Sequence, residues 1–211
     1  MKDSKLIYGV GINDRSRPSG VGNGLSIATK ESNLWIAMLK RCYNKKYHEK
    51  YQTYIGCSVS DNFKHYSYFY DWCHKQIGFN DDSPNQRKWH LDKDILIPDN
   101  KIYSEYVCVF VPPEINTFFT NRGLSRGRWP IGVYFHEQRS KFMAYCSVNG
   151  KDKYLGYFAT PEEAHAVYKQ FKENLCKELA NKWKSQIDSR VYDAMRRGAS
   201  ESESHSLFAA L

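Results

Sequence analysis

The chain has 211 residues, enough for one medium domain or two small ones. Its net charge is +8, and residues 122–198 hold 15 Lys+Arg against 8 Asp+Glu, so almost all the basic excess lies in the C-terminal part and points to a polyanion. The six cysteines (Cys42, Cys57, Cys73, Cys108, Cys146, Cys176) form no CxxC pair, the seven histidines form no HExxH, and no long apolar run occurs. This excludes a zinc ribbon of the common spacing and a membrane span, and predicts a soluble chain with reduced thiols.

Residues 1–30 carry little periodicity and include SRPSGVGNG beside Arg15 and Arg17, so a flexible lead-in is expected. Residues 31–46, ESNLWIAMLKRCYNKK, predict a helix with Ser32 as N-cap and a core stripe of Leu34, Trp35, Met38, Leu39 and Cys42. Lys40, Arg41, Lys45 and Lys46 fall on or near its polar face. Residues 54–59 predict a short strand. Residues 62–77 predict a helix whose Phe63, Tyr66, Phe69, Tyr70 and Trp72 pack a core. Residues 80–88 form a polar loop.

The most informative stretch is 89–121. Two strand-favouring runs, 90–97 and 106–111, flank PDNK, where Asp99-Asn100 supplies turn chemistry. Pro112-Pro113 stops the second run, and Glu114 favours a short helix over PPEINTFF. The order is strand, turn, strand, helix. On one strand, His90, Asp92 and Asp94 would share a face opposite Leu91, Lys93 and Ile95. Asn116 lies on the helix, and a carboxylate with an amide oxygen suits a hard divalent cation.

LDKDIL followed by CVFVPPEIN resembles the HNH (ββα-metal) nucleases, as they occur in phage-encoded homing-type endonucleases. W-x-x-M-L-x-R-C-Y, Y-x-G-C-x-V and F-x-x-W extend the resemblance back to Leu34. It implies Asp92 and Asn116 as ligands of Mg²⁺ or another divalent cation. The family places a histidine base directly after the acidic ligand, and here Lys93 stands there. A lysine is protonated near neutrality and is a poor base, so Lys93, His90 and Asp94 are all candidates for water activation. The family's structural asparagine at the start of the second strand has no counterpart at Tyr106 or Val107.

Residues 121–130, NRGLSRGRWP, read as a basic linker whose Arg122, Arg126 and Arg128 have the composition of a phosphate-tracking segment. From Ile131 the hydrophobic period changes to two. IGVYFH, KFMAYCSVNGK and KYLGYF predict three strands, with Asn149-Gly150 turning between the last two. Thr160 caps a helix with Pro161 at its first position and Ala164, Val167, Tyr168, Phe171, Leu175 and Leu179 as its buried stripe. Alternation turns Val133, Phe135, Phe142, Ala144, Cys146, Val148 and Leu155 toward the helix. Tyr134, His136, Met143, Tyr145, Ser147 and Tyr154 face outward, with Arg139 and Lys141 at the hairpin. An uncovered sheet face rich in tyrosine is a binding surface.

Gly132-Val133, Lys141-Phe142, VNGK, LGYF and TPEEA, in that order, resemble the Apetala/ethylene-response-factor DNA-binding domain. The resemblance implies a sheet laid in the major groove of double-stranded DNA. The family's base-reading arginines on the first strand fall here on Ile131 and Tyr134. A different or relaxed sequence preference is therefore expected, with phosphate contacts from basic residues including Lys151 and Lys153.

The expected architecture is α+β: a lead-in (1–30), an HNH-like module (31–121), a linker (122–130), a sheet-plus-helix module (131–183) and a basic helical extension and tail (184–211). The expected function is a phage-type, metal-dependent DNA endonuclease acting in the cytoplasm, that of the host if phage-encoded. The rival is an inactive HNH-fold DNA-binding protein that regulates transcription or inhibits a host factor.

Overall fold

A computed structural model describes residues 6–21, 27–80, 88–119, 128–148 and 150–201, and the fold is α+β. Two compact units divide the chain: Met1–Asn116 with Gln186–Val191, and Thr117–Ser185 with Tyr192–Leu211. Among the described residues no helix is long and apolar enough to cross a membrane.

In the first unit, β1 (Gly20–Val21) and β2 (Ile27–Ala28) pair antiparallel. Helix α1 (Lys30–Tyr43) begins one residue earlier than expected, because Thr29 rather than Ser32 caps it by accepting the Ser32 N–H at 3.2 Å. The predicted run to residue 46 breaks at Asn44. Its side chain accepts the Tyr47 N–H at 2.9 Å and so opens a new helix, α2 (Lys45–Lys50). The predicted stripe is core: Trp35, Met38, Leu39 and Cys42 are buried.

The strand expected at 54–59 is confined to β3 (Ser58–Val59), since a 3₁₀ turn occupies Gln52–Tyr54 and Gly56 takes a positive φ of 80°. The helix expected at 62–77 is likewise interrupted. A 3₁₀ turn (Asn62–Lys64) and α3 (Tyr66–Cys73) are separated by an extended His65. Ile12 causes the break: its N–H donates to the Lys64 carbonyl at 2.8 Å and its carbonyl accepts the Tyr66 N–H at 2.9 Å.

Residues 6–21 of the lead-in are therefore tied to the unit. Arg17 makes a bidentate pair with Asp71, both bonds at 2.7 Å, and Tyr66 Oη donates to the Pro18 carbonyl at 2.6 Å. A Cβ on Gly11 would come within 2.4 Å of Leu39, so this backbone lies directly on the α1 core face.

Strand β4 (His90–Asp92) pairs antiparallel with β6 (Val109–Val111), and α4 (Pro113–Phe119) follows at once. Both strands are shorter than the predicted runs. The segment between them carries β5 (Ile102–Tyr103), which pairs in parallel with β3 instead of prolonging the hairpin. The unit's core is aromatic, with Trp72 against Phe63 (4.9 Å) and Phe110 (5.8 Å), and Phe79 against Phe110 (5.3 Å). Residues 186–191 belong to this unit: Ile187 and Val191 are buried, and Arg190 pairs with Asp188 while donating to the Tyr106 carbonyl at 3.0 Å.

The second unit contains β7 (Val133–His136), β8 (Lys141–Val148) and β9 (Lys151–Phe158), antiparallel in the order β7-β8-β9, and α5 (Pro161–Trp183) packed on all three. Thr160 forms a full capping box with Glu163. Val133, Ala144 and Ala164 are buried at the sheet–helix contact, flanked by Trp129, Phe142, Leu155 and Phe158. The predicted helix stripe holds at Ala164 and Leu179, but Cys176 and Ala180 are buried in its lower half instead of Leu175. Gly132 takes φ 79° and sits against the Tyr168 ring, which a Cβ would approach to 2.1 Å. Of the predicted Asn149-Gly150 turn, Asn149 lies outside the described residues; Gly150 has φ 76°. The basic extension includes α6 (Ser189–Glu201).

Candidate functional site

The first candidate lies in the unit built from β4, β6 and α4. His90 and Asp92 are two apart on β4 and so share a face, while Leu91 between them is buried opposite Phe110. His90 is exposed and Asp92 half-buried. The strand stops at Asp92 for a local reason. Its Oδ1 accepts the N–H groups of Asp94 and Ile95, each at 2.8 Å, which is an Asx turn. Asp94 therefore leaves the strand and does not continue the His90–Asp92 face, contrary to the alternation argument.

Lys93 is the surprise of this loop. It is only 6% exposed. Its ammonium donates to the Asp94 carboxylate at 2.5 Å and to the Asn100 carbonyl, and it stands 5.7 Å from the Tyr103 ring centroid. Burial pushes the Asp94 carboxyl up, while the Lys93 hydrogen bond pulls it down. Asn100 closes the loop from the other side. Its amide nitrogen donates to the carbonyls of Lys93 (2.8 Å) and Ile102 (2.7 Å), and its oxygen accepts the Ile102 N–H (3.1 Å). Asn100 thus ties the two arms of the turn together. Its only sequence signal was the turn chemistry of Asp99-Asn100, with Asp99 at φ 57°.

Asn116 is half-buried on α4, one residue after the fully buried Ile115. Asp92 Oδ2 has no hydrogen-bond partner among the described residues, so one carboxylate oxygen remains for a ligand. No group of three or more His, Cys, Asp or Glu gathers to hold a metal among the described residues. The donors on offer are hard oxygens, few in number, which fits a cation that keeps much of its water.

The second candidate is the outer face of the β7-β8-β9 sheet. Tyr134 and Tyr154 are each 55% exposed. Ser147 is exposed, and Tyr145, Met143 and His136 are half-buried on the same face. Arg139 and Lys141 are exposed at the β7–β8 turn. Arg139 lies over the Tyr157 ring at 4.8 Å, and Tyr157 also meets His136 and Tyr154 at 5.3 Å each. His136 Nδ1 is buried without a hydrogen-bond partner among the described residues.

Strict alternation would have turned Tyr157 inward. The register shows why it faces out: Ala144 pairs with Gly156 but Tyr145 pairs with Tyr154, so Leu155 is an extra residue. Gly156, at φ 142°, accommodates this bulge, and a glycine inside a strand pattern is the signal that could have revealed it. The same register places two of the expected DNA contacts on the opposite face from the tyrosines. Lys151 pairs with Val148 and Lys153 with Cys146, which puts both on the helix side, and Lys153 lies 4.8 Å over the Phe171 ring. Asp152 takes the outer position beside Ser147. Arg128 stacks on Trp129 at 5.0 Å, while Arg122 and Arg126 lie outside the described residues.

Comparison with protein-family models, with curated proteins and with solved structures found no match.

Proposed function

We propose that this chain is a metal-dependent endonuclease of double-stranded DNA, with an HNH-like ββα unit and a separate sheet-based DNA-binding surface. The observation that carries the reading is the order β4, β6, α4, with His90 and Asp92 on one strand face and Asn116 on the helix that follows. Asp92 Oδ2 and the Asn116 amide oxygen would hold Mg²⁺ or a similar ion, which when bound supplies Lewis-acid polarisation of a phosphate. The chain's own part is proton handling and positioning. Lys93 has its ammonium committed to Asp94 and Asn100, so it fixes the loop, and His90 is the group that takes a proton from water. Tyr134, Tyr145, Tyr154 and Tyr157, with Arg139 and Lys141, dock the sheet on DNA.

One observation favours a second reading. The residue at the family's base position is buried in an ion pair, as expected of a DNA-binding protein that has lost cleavage and acts as a regulator or as an inhibitor of a host factor. A supercoiled-plasmid nicking assay with Mg²⁺ or Mn²⁺ separates the two. Nicking by the wild type, lost in both Asp92→Ala and His90→Ala, supports the nuclease. Nicking that survives Asp92→Ala removes this site. DNA binding without nicking under either metal supports the second reading. In both cases Tyr154→Ala with Tyr157→Ala should weaken duplex binding about tenfold, the cost of one or two lost aromatic contacts.

A further inference from the structure

We infer that the corner formed by α1, α2 and the following 3₁₀ turn is a second, independent contact surface for DNA phosphates, placed on the first unit. The corner is organised around Tyr47, whose ring lies 4.5 Å from Tyr51 and 5.8 Å from Tyr54. Cations are arrayed on this aromatic hub. Lys40 lies over Tyr47 at 5.2 Å, Arg41 over Tyr54 at 5.7 Å and Lys50 over Tyr51 at 5.4 Å. Lys45 and Lys46 project from the first turn of α2, and the four lysines 40, 45, 46 and 50 are all exposed. His48 anchors the corner through its ring nitrogen to the Arg41 carbonyl at 2.7 Å.

These lysines differ from several cations of the same unit that are matched by acids: Arg17 with Asp71, Lys64 with Asp61, His74 with Glu31, Lys93 with Asp94 and Arg190 with Asp188. Lys40, Lys45, Lys46 and Lys50 make no ion pair with a carboxylate among the described residues, and Glu49 is the one acid in the segment 40–50. Four like charges gathered on rigid, short elements repel one another, and a polyanion relieves that repulsion. Exposed ammonium groups, two of them over tyrosine rings, fit a sugar-phosphate backbone, a contact that carries no sequence information. The choice of DNA as the polyanion rests on the function proposed above; the surface itself does not.

The test is duplex affinity as a function of salt, measured on the full chain by fluorescence anisotropy with a labelled random-sequence duplex. Each phosphate contact contributes about 0.9 to the slope of log K against log salt. Lys46→Gln with Lys50→Gln should therefore flatten the slope by about 2 and weaken binding at low salt. Lys64→Gln with Lys75→Gln removes the same charge from the same unit and should leave the slope unchanged. Lys46→Arg with Lys50→Arg should retain it. If the wild type shows a salt-dependent slope that the Lys46/Lys50 pair does not alter, or that the control pair alters equally, this surface is refuted and the DNA-binding reading stands. If the wild type binds no duplex at any salt, both fall.

Discussion

Replacing Lys93 by methionine tests whether this buried ammonium is a clamp or a participant in chemistry. The unbranched side chain is kept up to the Cε position and the ammonium is lost, so Asp94 and the Asn100 carbonyl lose a donor. A hydrogen bond to a charged group contributes about 1.5–3 kcal/mol. The Asp94 side chain is 49% exposed, so water re-solvates it and its share drops to under about 1 kcal/mol. The Asn100 carbonyl is held in the turn and keeps the larger share, while removing a buried ammonium relieves part of its own desolvation. The expected net loss is about 1–2 kcal/mol, or a melting temperature lower by roughly 2–8 °C for a protein of this size. Differential scanning calorimetry measures it, alongside duplex affinity. Unchanged melting would refute the clamp, and unchanged melting combined with lost nicking would assign Lys93 to the reaction itself.

Gly132→Ala should break the second unit's packing, because the new methyl meets the Tyr168 ring at 2.1 Å in a backbone region that L-residues avoid. A loss of more than about 2 kcal/mol and of sheet-dependent DNA binding is expected, read by circular dichroism and anisotropy. All six cysteines are buried, and burial pushes the thiol of Cys176 up to about 11 and that of Cys42 up to about 12. Native protein at pH 8 should resist alkylation until urea unfolds it, and early labelling at either position would contradict their burial. The sign of the linkage follows: a raised thiol favours the neutral form in the folded state. These groups therefore impose no penalty at neutral pH, and stability falls as pH rises from the unfolded thiol value near 8.5 toward those folded values.

The second unit was the more legible half. Its strands alternate, its helix start is marked by Thr160, Pro161 and Glu163, and both signals are local, so chain order alone recovers them. What escaped was the bulge at Leu155, because one inserted residue inverts every later assignment in β9 and hides Tyr157. The first unit was harder for a different reason. Its helices end where distant backbone intervenes, as Ile12 does at His65, and its strands are two or three residues long, too short to carry a period. The α+β class and the strand-to-helix order around Asp92 survived this. The burial of Lys93 was not legible, since a lysine between two aspartates looks like surface until Asn100 and Tyr103 are seen to enclose it.

The first unit is assembled from two separate stretches of chain, the later one only six residues long and held by Ile187, Val191 and the Arg190 guanidinium on the Tyr106 carbonyl. A fragment cut after Asn116 would therefore bare an apolar seat and leave that carbonyl without its guanidinium. Supplying residues 186–191 as a free peptide should restore such a fragment in trans, so the first unit is not inherited as residues 1–116 alone.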